Sequence, residues 1–127
     1  MTPTRSVSPL RVLYIEDNAL VRELTCELLS DGTREVVAVA TGEEALCAFS
    51  AQPFDLVLTD VSLPAMSGIE LARQVNKLDP SVPIILATGY PLDPNDCRLG
   101  PHVRAIIKPI HPPELDALIR QLCQAAA

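Results

Sequence analysis

Leu56-Val57-Leu58-Thr59-Asp60 is the stretch of sequence from which the fold can be worked out. Its apolar run is too short for a helix and is typical of a strand that is buried on both faces. The run ends at Asp60, and Pro64 and Gly68 then break the chain before the next helical pattern. Open α/β sheets keep their binding sites at the carboxyl ends of the strands. Asp60 is therefore a candidate site residue if other strands deliver partner groups to the same edge.

Apolar runs and segments of helical periodicity alternate along the rest of the chain. The predicted strands cover residues 11–15, 36–40, 56–60, 83–87 and 104–107. Predicted helices cover residues 19–30 and 41–50, a stretch after Ser67, and a last stretch that begins at Pro112. This alternation predicts an α/β fold with a five-stranded parallel sheet that helices cover on both faces, doubly wound. Right-handed crossovers then bring the carboxyl ends of all strands to one edge.

The helices are recognised from apolar residues that recur at three- and four-residue spacing. The motifs Thr41 to Glu44 and Ser67 to Glu70 have the form of capping boxes. The apolar positions are Leu20, Leu24 and Leu28 in the first helix, a buried stripe of Leu71, Val75 and Leu78 in the third, and Leu115, Leu118, Ile119 and Leu122 in the last.

Length and composition predict one globular domain. The chain has 127 residues, of which 48% are hydrophobic and 3% aromatic, so its core is aliphatic. A net charge of −6 without a basic cluster argues against direct binding to nucleic acid. No apolar run reaches the roughly 20 residues that a membrane span needs, so we expect no membrane association.

Residues 1–9 are polar and contain prolines, without the hydrophobic region of a signal peptide. We expect a disordered leader there and a single domain over residues 10–124. The four cysteines, Cys26, Cys47, Cys97 and Cys123, lie far apart in the chain, which excludes CxxC redox and zinc motifs. We therefore predict reduced thiols and a cytoplasmic protein.

Polar residues follow four of the predicted strands. Glu16 and Asp17 follow the first, Asp60 ends the third, Thr88 follows the fourth and Lys108 the fifth. Three clustered carboxylates repel one another unless a cation joins them, and all-oxygen ligation of this kind suits Mg²⁺. A metal and a lysine beside a carboxylate form a site for a phosphoryl group, which the carboxylate can attack and to which Thr88 can offer its hydroxyl.

Taken singly, these residues have simpler explanations. Glu16 and Asp17 are also typical of acids near the start of a helix, where the helix dipole favours them, and Lys108 is typical of a solvated loop. The combination of residue types at one sheet edge is what points to a phosphoryl site.

At these residues the sequence resembles the receiver domain of two-component response regulators. The resemblance covers about residues 10–122, and its motifs are Glu16-Asp17, Asp60 with Leu63-Pro64 and Gly68 after it, Thr88-Gly89, and Lys108-Pro109. It implies a flavodoxin-like (CheY-like) (βα)5 fold, in which Asp60 accepts a phosphoryl group from a phosphohistidine of a histidine kinase or histidine phosphotransfer protein.

The resemblance also implies the role of each site residue. Asp17 and Asp60 would bind Mg²⁺ directly with the backbone carbonyl of Ser62, and Glu16 would act largely through water. Lys108 would pair with the phosphoryl oxygens from a cis Lys108–Pro109 peptide bond. Thr88 would move toward the phosphoaspartate and transmit the signal. Such a domain is not an enzyme with a separate substrate, since it catalyses only its own phosphoryl transfer and dephosphorylation.

Two features depart from the pattern of the family. Receivers usually carry Phe or Tyr three residues before the lysine as a switch, whereas this chain has Ala105, which leaves Tyr90 as the aromatic candidate for that role. Prolines at positions 91, 94 and 101 limit any helix in this segment to little more than one turn, residues 95–99. The Thr88-Gly89-Tyr90 run resembles both receivers of hybrid sensor kinases and stand-alone receivers, so the output goes either to a separate protein or to a parent chain.

Three other functions compete with the phosphoacceptor. A haloacid-dehalogenase-type phosphatase would carry a second acid two residues after its nucleophile, where this chain has Ser62. A flavodoxin-like cofactor protein would have a Ser/Thr/Gly-rich loop after the first strand, where Glu16-Asp17 would repel a phosphate. A partner-binding pseudo-receiver would lack the phosphoacceptor or the lysine, and both residue types are present.

Overall fold

The computed structural model describes residues 9–30, 32–91 and 102–125. The leader expected at residues 1–9, apart from Pro9, and the short helical turn expected at residues 95–99 lie outside these ranges, as does Cys97. The described elements are the strands β1 (Leu10–Ile15), β2 (Arg34–Val39), β3 (Leu56–Asp60), β4 (Ile84–Thr88) and β5 (Val103–Ile107), and the helices α1 (Ala19–Leu29), α2 (Gly42–Ala51), α3 (Gly68–Leu78) and α4 (Pro112–Ala125).

The five strands form one parallel sheet in the order β2-β1-β3-β4-β5. The order reverses at β1, which pairs with β2 on one side and with β3 on the other, and such a switch point opens a crevice at the carboxyl ends of the strands. The register pairs Ile15 with Thr59 and Asp60 with Ala87, so the ends of β1, β3 and β4 follow one another with an offset of one residue each. The predicted α/β, doubly wound, flavodoxin-like sheet is confirmed.

Each face of the sheet carries its own core because successive strand residues point to opposite sides. Leu13, Ile15 and Val57 belong to the cluster that α2 and α3 cover. Leu56 and Leu58 belong to the other cluster, which includes buried residues of α1 and α4. All ten residues of β3 and β4 are buried, which explains why both strands are apolar up to their carboxyl ends.

Helix α1 packs on the sheet with a different face from the one that the sequence pattern of Leu20, Leu24 and Leu28 predicted. Leu20, Leu24 and Leu28 are 65%, 54% and 47% exposed, whereas Thr25 and Leu29 are buried. Each helical residue is rotated by about 100° from the one before it, so a shift of one residue moves the contact to the neighbouring face. The described part of α1 therefore leaves an apolar stripe in solvent.

Two details of α3 also differ from the sequence expectation. Leu78, predicted in the buried stripe with Leu71 and Val75, is exposed at the end of the helix. The Ser67 side chain accepts the Glu70 N–H as predicted, but the Glu70 carboxylate turns to Arg73 and Gln74 instead of completing the box.

The capping box predicted at the start of α2 forms in part: the Thr41 half is confirmed, and the Glu44 carboxylate binds the N–H of Ala40, one residue before the N-cap Thr41. The Thr41 hydroxyl accepts the Glu44 N–H at 3.1 Å, and the Glu44 carboxylate accepts the Ala40 N–H at 3.0 Å. Each of these bonds satisfies a backbone donor that has no partner within the helix.

The bounds of β2 lie earlier than predicted, at Arg34–Val39, because Leu10 pairs with Arg34 at the start of the parallel register. The Arg34 guanidinium also binds the Asp116 carboxylate of α4 at 2.8 Å, which ties the last helix to this edge of the sheet. None of the helices in the described ranges combines the length and apolar character that a membrane crossing requires.

Candidate phosphoryl-transfer site

Asp60 ends the buried strand β3, and its side chain is only 9% exposed. Its Oδ1 accepts the backbone N–H of Ser62 at 3.2 Å, and the Thr59 hydroxyl donates to the Asp60 carbonyl oxygen at 3.0 Å. Both bonds restrain the end of the strand, because one fixes the carboxylate and the other the backbone. Asp60 is thus held in one position at the edge of the sheet.

The loop after Asp60 folds back closely against the strand. The Gly68 N–H donates to the Val61 carbonyl oxygen at 2.9 Å, and a Cβ at Gly68 would lie 2.1 Å from the Asp60 carbonyl oxygen. Only glycine allows this approach of two backbone segments. Ala65, in the same loop, has a φ of 64°, in the left-handed region that favours glycine. The Pro64 and Gly68 signals of the sequence therefore correspond to a tight loop that supports Asp60.

Glu16 and Asp17 follow β1 at the same edge, next to Asp60. Glu16 is buried and Asp17 is exposed. Glu16 Oε2 accepts the Asn18 N–H at 3.1 Å. One carboxylate oxygen from each of Glu16, Asp17 and Asp60 can be chosen so that all three lie within 4.8 Å of one another. The structure therefore brings the three predicted acids together.

Lys108 reaches this cluster from the end of β5. Its Nζ lies 3.1 Å from Asp60 Oδ2 and 3.5 Å from Glu16 Oε1. The Lys108–Pro109 peptide bond is cis, as predicted. Partial burial lowers the pKa of the lysine, but the hydrogen bonds and charges of the Asp60 and Glu16 carboxylates outweigh it, so the pKa is raised. Lys108 is therefore a permanent cation beside Asp60.

Burial governs the electrostatics of the acidic cluster. The pKa of Glu16 is raised, first by desolvation and then by the negative charge of Asp60, although the Asn18 N–H and Lys108 oppose the shift. Tyr14, on the β1 side of the site, has its pKa raised to about 12, chiefly by burial, and its hydroxyl is hydrogen-bonded to Thr25. The Glu16 and Asp60 carboxylates thus lie in a poorly solvated setting, where an added cation would be favoured, while Asp17 faces solvent.

Thr88 lies at the end of β4, next to the Asp60 strand, but its hydroxyl is engaged elsewhere. Thr88 Oγ1 donates to the Tyr90 carbonyl oxygen at 2.9 Å and accepts the Tyr90 N–H at 3.3 Å. Tyr90 itself is exposed, and so is Ala105 on β5. A backbone bond joins this strand end to the lysine, since the Lys108 N–H donates to the Thr88 carbonyl oxygen at 2.7 Å.

Two residues that contact the site were not found from the sequence. Asn18 is the N-cap of α1, where its side-chain oxygen accepts the Val21 N–H at 3.0 Å, and its own N–H binds the Glu16 carboxylate. Arg22, one turn into α1, donates from Nη1 to the Glu16 carbonyl oxygen at 2.8 Å. Helical side chains lean toward the N-terminus, so a long cation in the second turn could have been suspected of reaching this loop.

A cleft of about 170 Å³ extends from the site along α1. Asp60, Lys108 and Ile110 line it on one side and Val21 and Leu28 on the other. Val21 and Leu28 belong to the exposed apolar residues of α1. The apolar stripe of the helix is therefore continuous with the surface beside Asp60.

The donor set determines what the site can hold. Three carboxylate oxygens and no nitrogen or sulfur ligand suit a hard divalent cation such as Mg²⁺, and the short mutual distances fit a single ion. With a lysine on its other side, the Asp60 carboxylate has positive charge available for a phosphoryl group that it would attack.

The response regulator receiver domain family matches residues 12–120. The response regulator receiver protein CpdR of Brucella abortus is 32% identical over 119 residues, which make up 91% of this chain and 98% of CpdR. Seven other curated relatives are longer proteins, of which the chain spans between 9% and 47%.

Solved structures agree with this assignment. A CheY-like response regulator receiver domain protein from Methanospirillum hungatei superposes with a TM-score of 0.84 at 29% identity, covering 94% of this chain and 97% of that one. The receiver domain of a sensor histidine kinase from Pseudomonas aeruginosa, described with a magnesium ion coordinated in its active-site cleft, gives 0.82 at 25% identity over 92% and 99% of the two chains. Family match, sheet order and relatives agree, and the chain belongs to the response regulator receiver domain family of two-component systems.

Proposed function

We propose that Asp60 is the phosphoacceptor of this receiver domain. The observation that carries the proposal is the position of its carboxylate, held by the Ser62 N–H on Oδ1 and 3.1 Å from Lys108 Nζ on Oδ2. A buried strand presents it beside two further acids. Ser62 occupies the position at which a haloacid-dehalogenase-type phosphatase would need a second acid, so the phosphoacceptor is favoured over that alternative.

The proposed transfer takes place from a phosphohistidine. A carboxylate oxygen of Asp60 attacks the phosphorus, and the O–P bond forms as the P–N bond breaks. The imidazole nitrogen of the donor keeps the electron pair. Lys108 neutralises negative charge on the phosphoryl oxygens in the product, since its ammonium already lies against Asp60 Oδ2.

Mg²⁺ is the cofactor that we assign to the acidic cluster. Asp17 and Asp60 would bind it with the backbone carbonyl of Ser62, and Glu16 would act largely through water. The bound cation supplies positive charge that offsets the repulsion between the acids and the phosphoryl oxygens. The coordinated magnesium ion in the Pseudomonas aeruginosa receiver supports this assignment.

Thr88 is the residue that we expect to carry the signal away from Asp60. Its hydroxyl donates to the Tyr90 carbonyl oxygen, so bonding a phosphoryl oxygen requires the hydroxyl to exchange partners. The exchange would release the backbone of Tyr90, an exposed aromatic residue. Because the usual aromatic position is Ala105, Tyr90 is the residue that we assign to the switch.

The apolar stripe of α1 supports a helical protein as the phosphoryl donor. Leu20 and Leu24 are more than half exposed, and Val21 and Leu28 line the cleft that leads to Asp60. Exposed apolar patches of this kind mark protein-interaction surfaces. A histidine kinase or histidine phosphotransfer protein that docks on this stripe would bring its phosphohistidine to the site.

The wider assignments follow from the same interpretation. We infer a receiver domain over residues 10–124 that catalyses only its own phosphorylation and dephosphorylation. Its output is a separate protein or a parent chain such as a hybrid kinase, since seven of the eight curated relatives described above are longer than this chain. A cytoplasmic location is part of the proposal and rests on the free thiols of Cys26, Cys47 and Cys123.

The test of the phosphoacceptor is the intact mass after incubation with acetyl phosphate and Mg²⁺. We expect one phosphoryl adduct on the wild type, sensitive to hydroxylamine as an acyl phosphate is, and none on Asp60→Asn. Asp79→Asn is the matched control, because Asp79 caps the far end of α3. An adduct of equal yield on Asp60→Asn, or an adduct on the wild type that needs no divalent cation, would refute the proposed site.

The docking surface is tested separately from the chemistry. Leu24→Glu should slow transfer from a phosphohistidine-carrying partner, because it places a charge in the apolar stripe. Its phosphorylation by acetyl phosphate should match that of the wild type. If Leu24→Glu accepted the phosphoryl group from the partner as fast as the wild type does, the partner would not use α1.

A further inference from the structure

The proposed metal site depends on a loop of only three residues, Glu16 to Asn18, between β1 and α1. This loop presents two of the three acids, and its conformation decides whether their carboxylates face Asp60. The Glu16 N–H still belongs to the sheet, where it donates to the Val39 carbonyl oxygen at 3.1 Å. The Glu16 carbonyl oxygen lies beyond Ile15, the last residue of β1 in register with β3. Its orientation must therefore be fixed by something other than the sheet.

Arg22 supplies the bond that the Glu16 carbonyl oxygen receives. Its Nη1 donates to this oxygen at 2.8 Å. Arg22 as a whole residue is partly buried. Within residues 9–30, 32–91 and 102–125, Arg22 forms no ion pair with a carboxylate at 4.0 Å or less. The backbone of Glu16 is thus the polar group that this cation binds in the described structure.

With the bond from Arg22, both the side-chain carboxylate and the backbone carbonyl group of Glu16 have hydrogen-bond donors. The carboxylate is fixed by the Asn18 N–H and Lys108, and the carbonyl group is fixed by Arg22. A charged donor makes a stronger hydrogen bond than a neutral one. With both ends held, the loop is prepared for a cation before the cation binds, and such preorganisation raises affinity.

We propose that Arg22 is a positioning residue of the metal site, which holds the Glu16–Asn18 loop in its metal-binding conformation through the Glu16 carbonyl oxygen. The inference rests on the proposed Mg²⁺ site. It gives Arg22 no contact with the metal or the phosphoryl group. Its loss is therefore expected to weaken Mg²⁺ binding while leaving the chemistry at saturating Mg²⁺ intact.

The test compares three variants by titration calorimetry with Mg²⁺. Arg22→Met keeps the aliphatic stem and removes every donor, and we expect a loss of Mg²⁺ affinity of roughly three- to tenfold. Arg22→Lys keeps a donor and should recover most of this loss. Arg73→Met is the matched control, because Arg73 is an exposed arginine of α3 that pairs with Glu70, and its Mg²⁺ affinity should equal that of the wild type.

A second readout needs no metal. In EDTA, amide exchange at Asp17 and Asn18 should be faster in Arg22→Met than in the wild type, while exchange in β3 is unchanged. Phosphorylation by acetyl phosphate should require more Mg²⁺ for half its maximal rate and reach the same maximum. A lower maximum at saturating Mg²⁺ would contradict a positioning role.

The outcomes separate this inference from the proposed function. If the wild type binds Mg²⁺ and Asp17→Asn does not, the metal site stands, and unchanged affinity and loop exchange in Arg22→Met would overturn the role of Arg22. If the wild type binds no Mg²⁺, the metal site itself fails. The exchange experiment would then still show whether Arg22 holds the loop, and unchanged exchange would overturn that role as well.

Discussion

Replacing Gly68 by alanine should destabilise the protein, although the substitution improves helix propensity. Gly68 is the first residue of α3, directly after the N-cap Ser67. In a helix interior the same change stabilises by up to about 1 kcal/mol. Here a Cβ would lie 2.1 Å from the Asp60 carbonyl oxygen and 2.8 Å from Val61 Cα. Both are backbone atoms, so relief requires the loop or the strand to move.

The magnitude follows from the size of this overlap. Overpacking in a rigid site costs about 1–3 kcal/mol, and the upper end applies because no side chain can rotate away. The hydrogen bond from the Gly68 N–H to the Val61 carbonyl oxygen would also be strained, which adds about 1 kcal/mol. After the gain in helix propensity, we expect a loss of about 2–3 kcal/mol, or on the order of 10 °C in Tm.

Urea unfolding in EDTA measures the effect, with Gly89→Ala as the control. A Cβ at Gly89 would meet nothing within 4 Å, so that variant should stay within about 0.5 kcal/mol of the wild type. Gly68→Ala should also accept a phosphoryl group from acetyl phosphate more slowly, because the displaced strand end carries Asp60. A Gly68→Ala protein as stable as the wild type, or more stable, would refute the close approach of the loop to β3.

Three further predictions concern backbone conformation, pH and thiol reactivity. Ala65→Gly should stabilise by about 1 kcal/mol in the same urea assay because its φ of 64° is unfavourable for alanine, and a loss of stability would contradict that conformation. Glu16→Gln should be more stable than the wild type in EDTA at pH 7. Because the pKa of Glu16 is raised in the folded protein, the free energy of unfolding of the wild type falls as pH rises through that pKa. The difference in urea midpoint between Glu16→Gln and the wild type should therefore vanish toward pH 4. A difference that stayed constant with pH would exclude the titration of Glu16 as its cause. Iodoacetamide at pH 8, followed by peptide mass spectrometry, should label exposed Cys47 faster than Cys123, whose pKa is raised chiefly by burial, and the reverse order would be inconsistent with the fold.

The fold was predictable because two patterns in the sequence are strong and local: the short apolar runs of the strands and the three- and four-residue apolar spacing of the helices. Leu56–Leu58 and Ile84–Ala87 are continuous apolar runs of strand length, which are typical of a parallel sheet covered on both faces. The bounds of a strand could not be predicted as closely where its sequence has no continuous apolar run. Arg34 and Glu35 belong to β2 because of pairing with β1, and nothing in their own side chains indicates a strand.

The site was predictable for a different reason, since parallel strands bring their carboxyl ends together whatever the side chains are. This topology placed Asp60 and Lys108 within 3.1 Å of each other although they are far apart in the chain. It does not determine which way a side chain turns. Two hydrogen bonds depend on the local course of loops, which sequence periodicity does not predict. They are the bond from the Thr88 hydroxyl to the Tyr90 carbonyl oxygen and the bond from Arg22 to the Glu16 carbonyl oxygen.

Helix α1 shows why an apolar pattern alone cannot tell a core from a binding surface. Its leucines at positions 20, 24 and 28 repeat every four residues, and so do its two buried residues, Thr25 and Leu29. The two stripes lie on adjacent faces, and the more apolar one is the stripe in solvent. Burying it against the sheet would rotate the helix and carry Arg22 away from the Glu16 carbonyl oxygen. The orientation that builds the acidic loop is therefore the same orientation that leaves the leucines free for a partner.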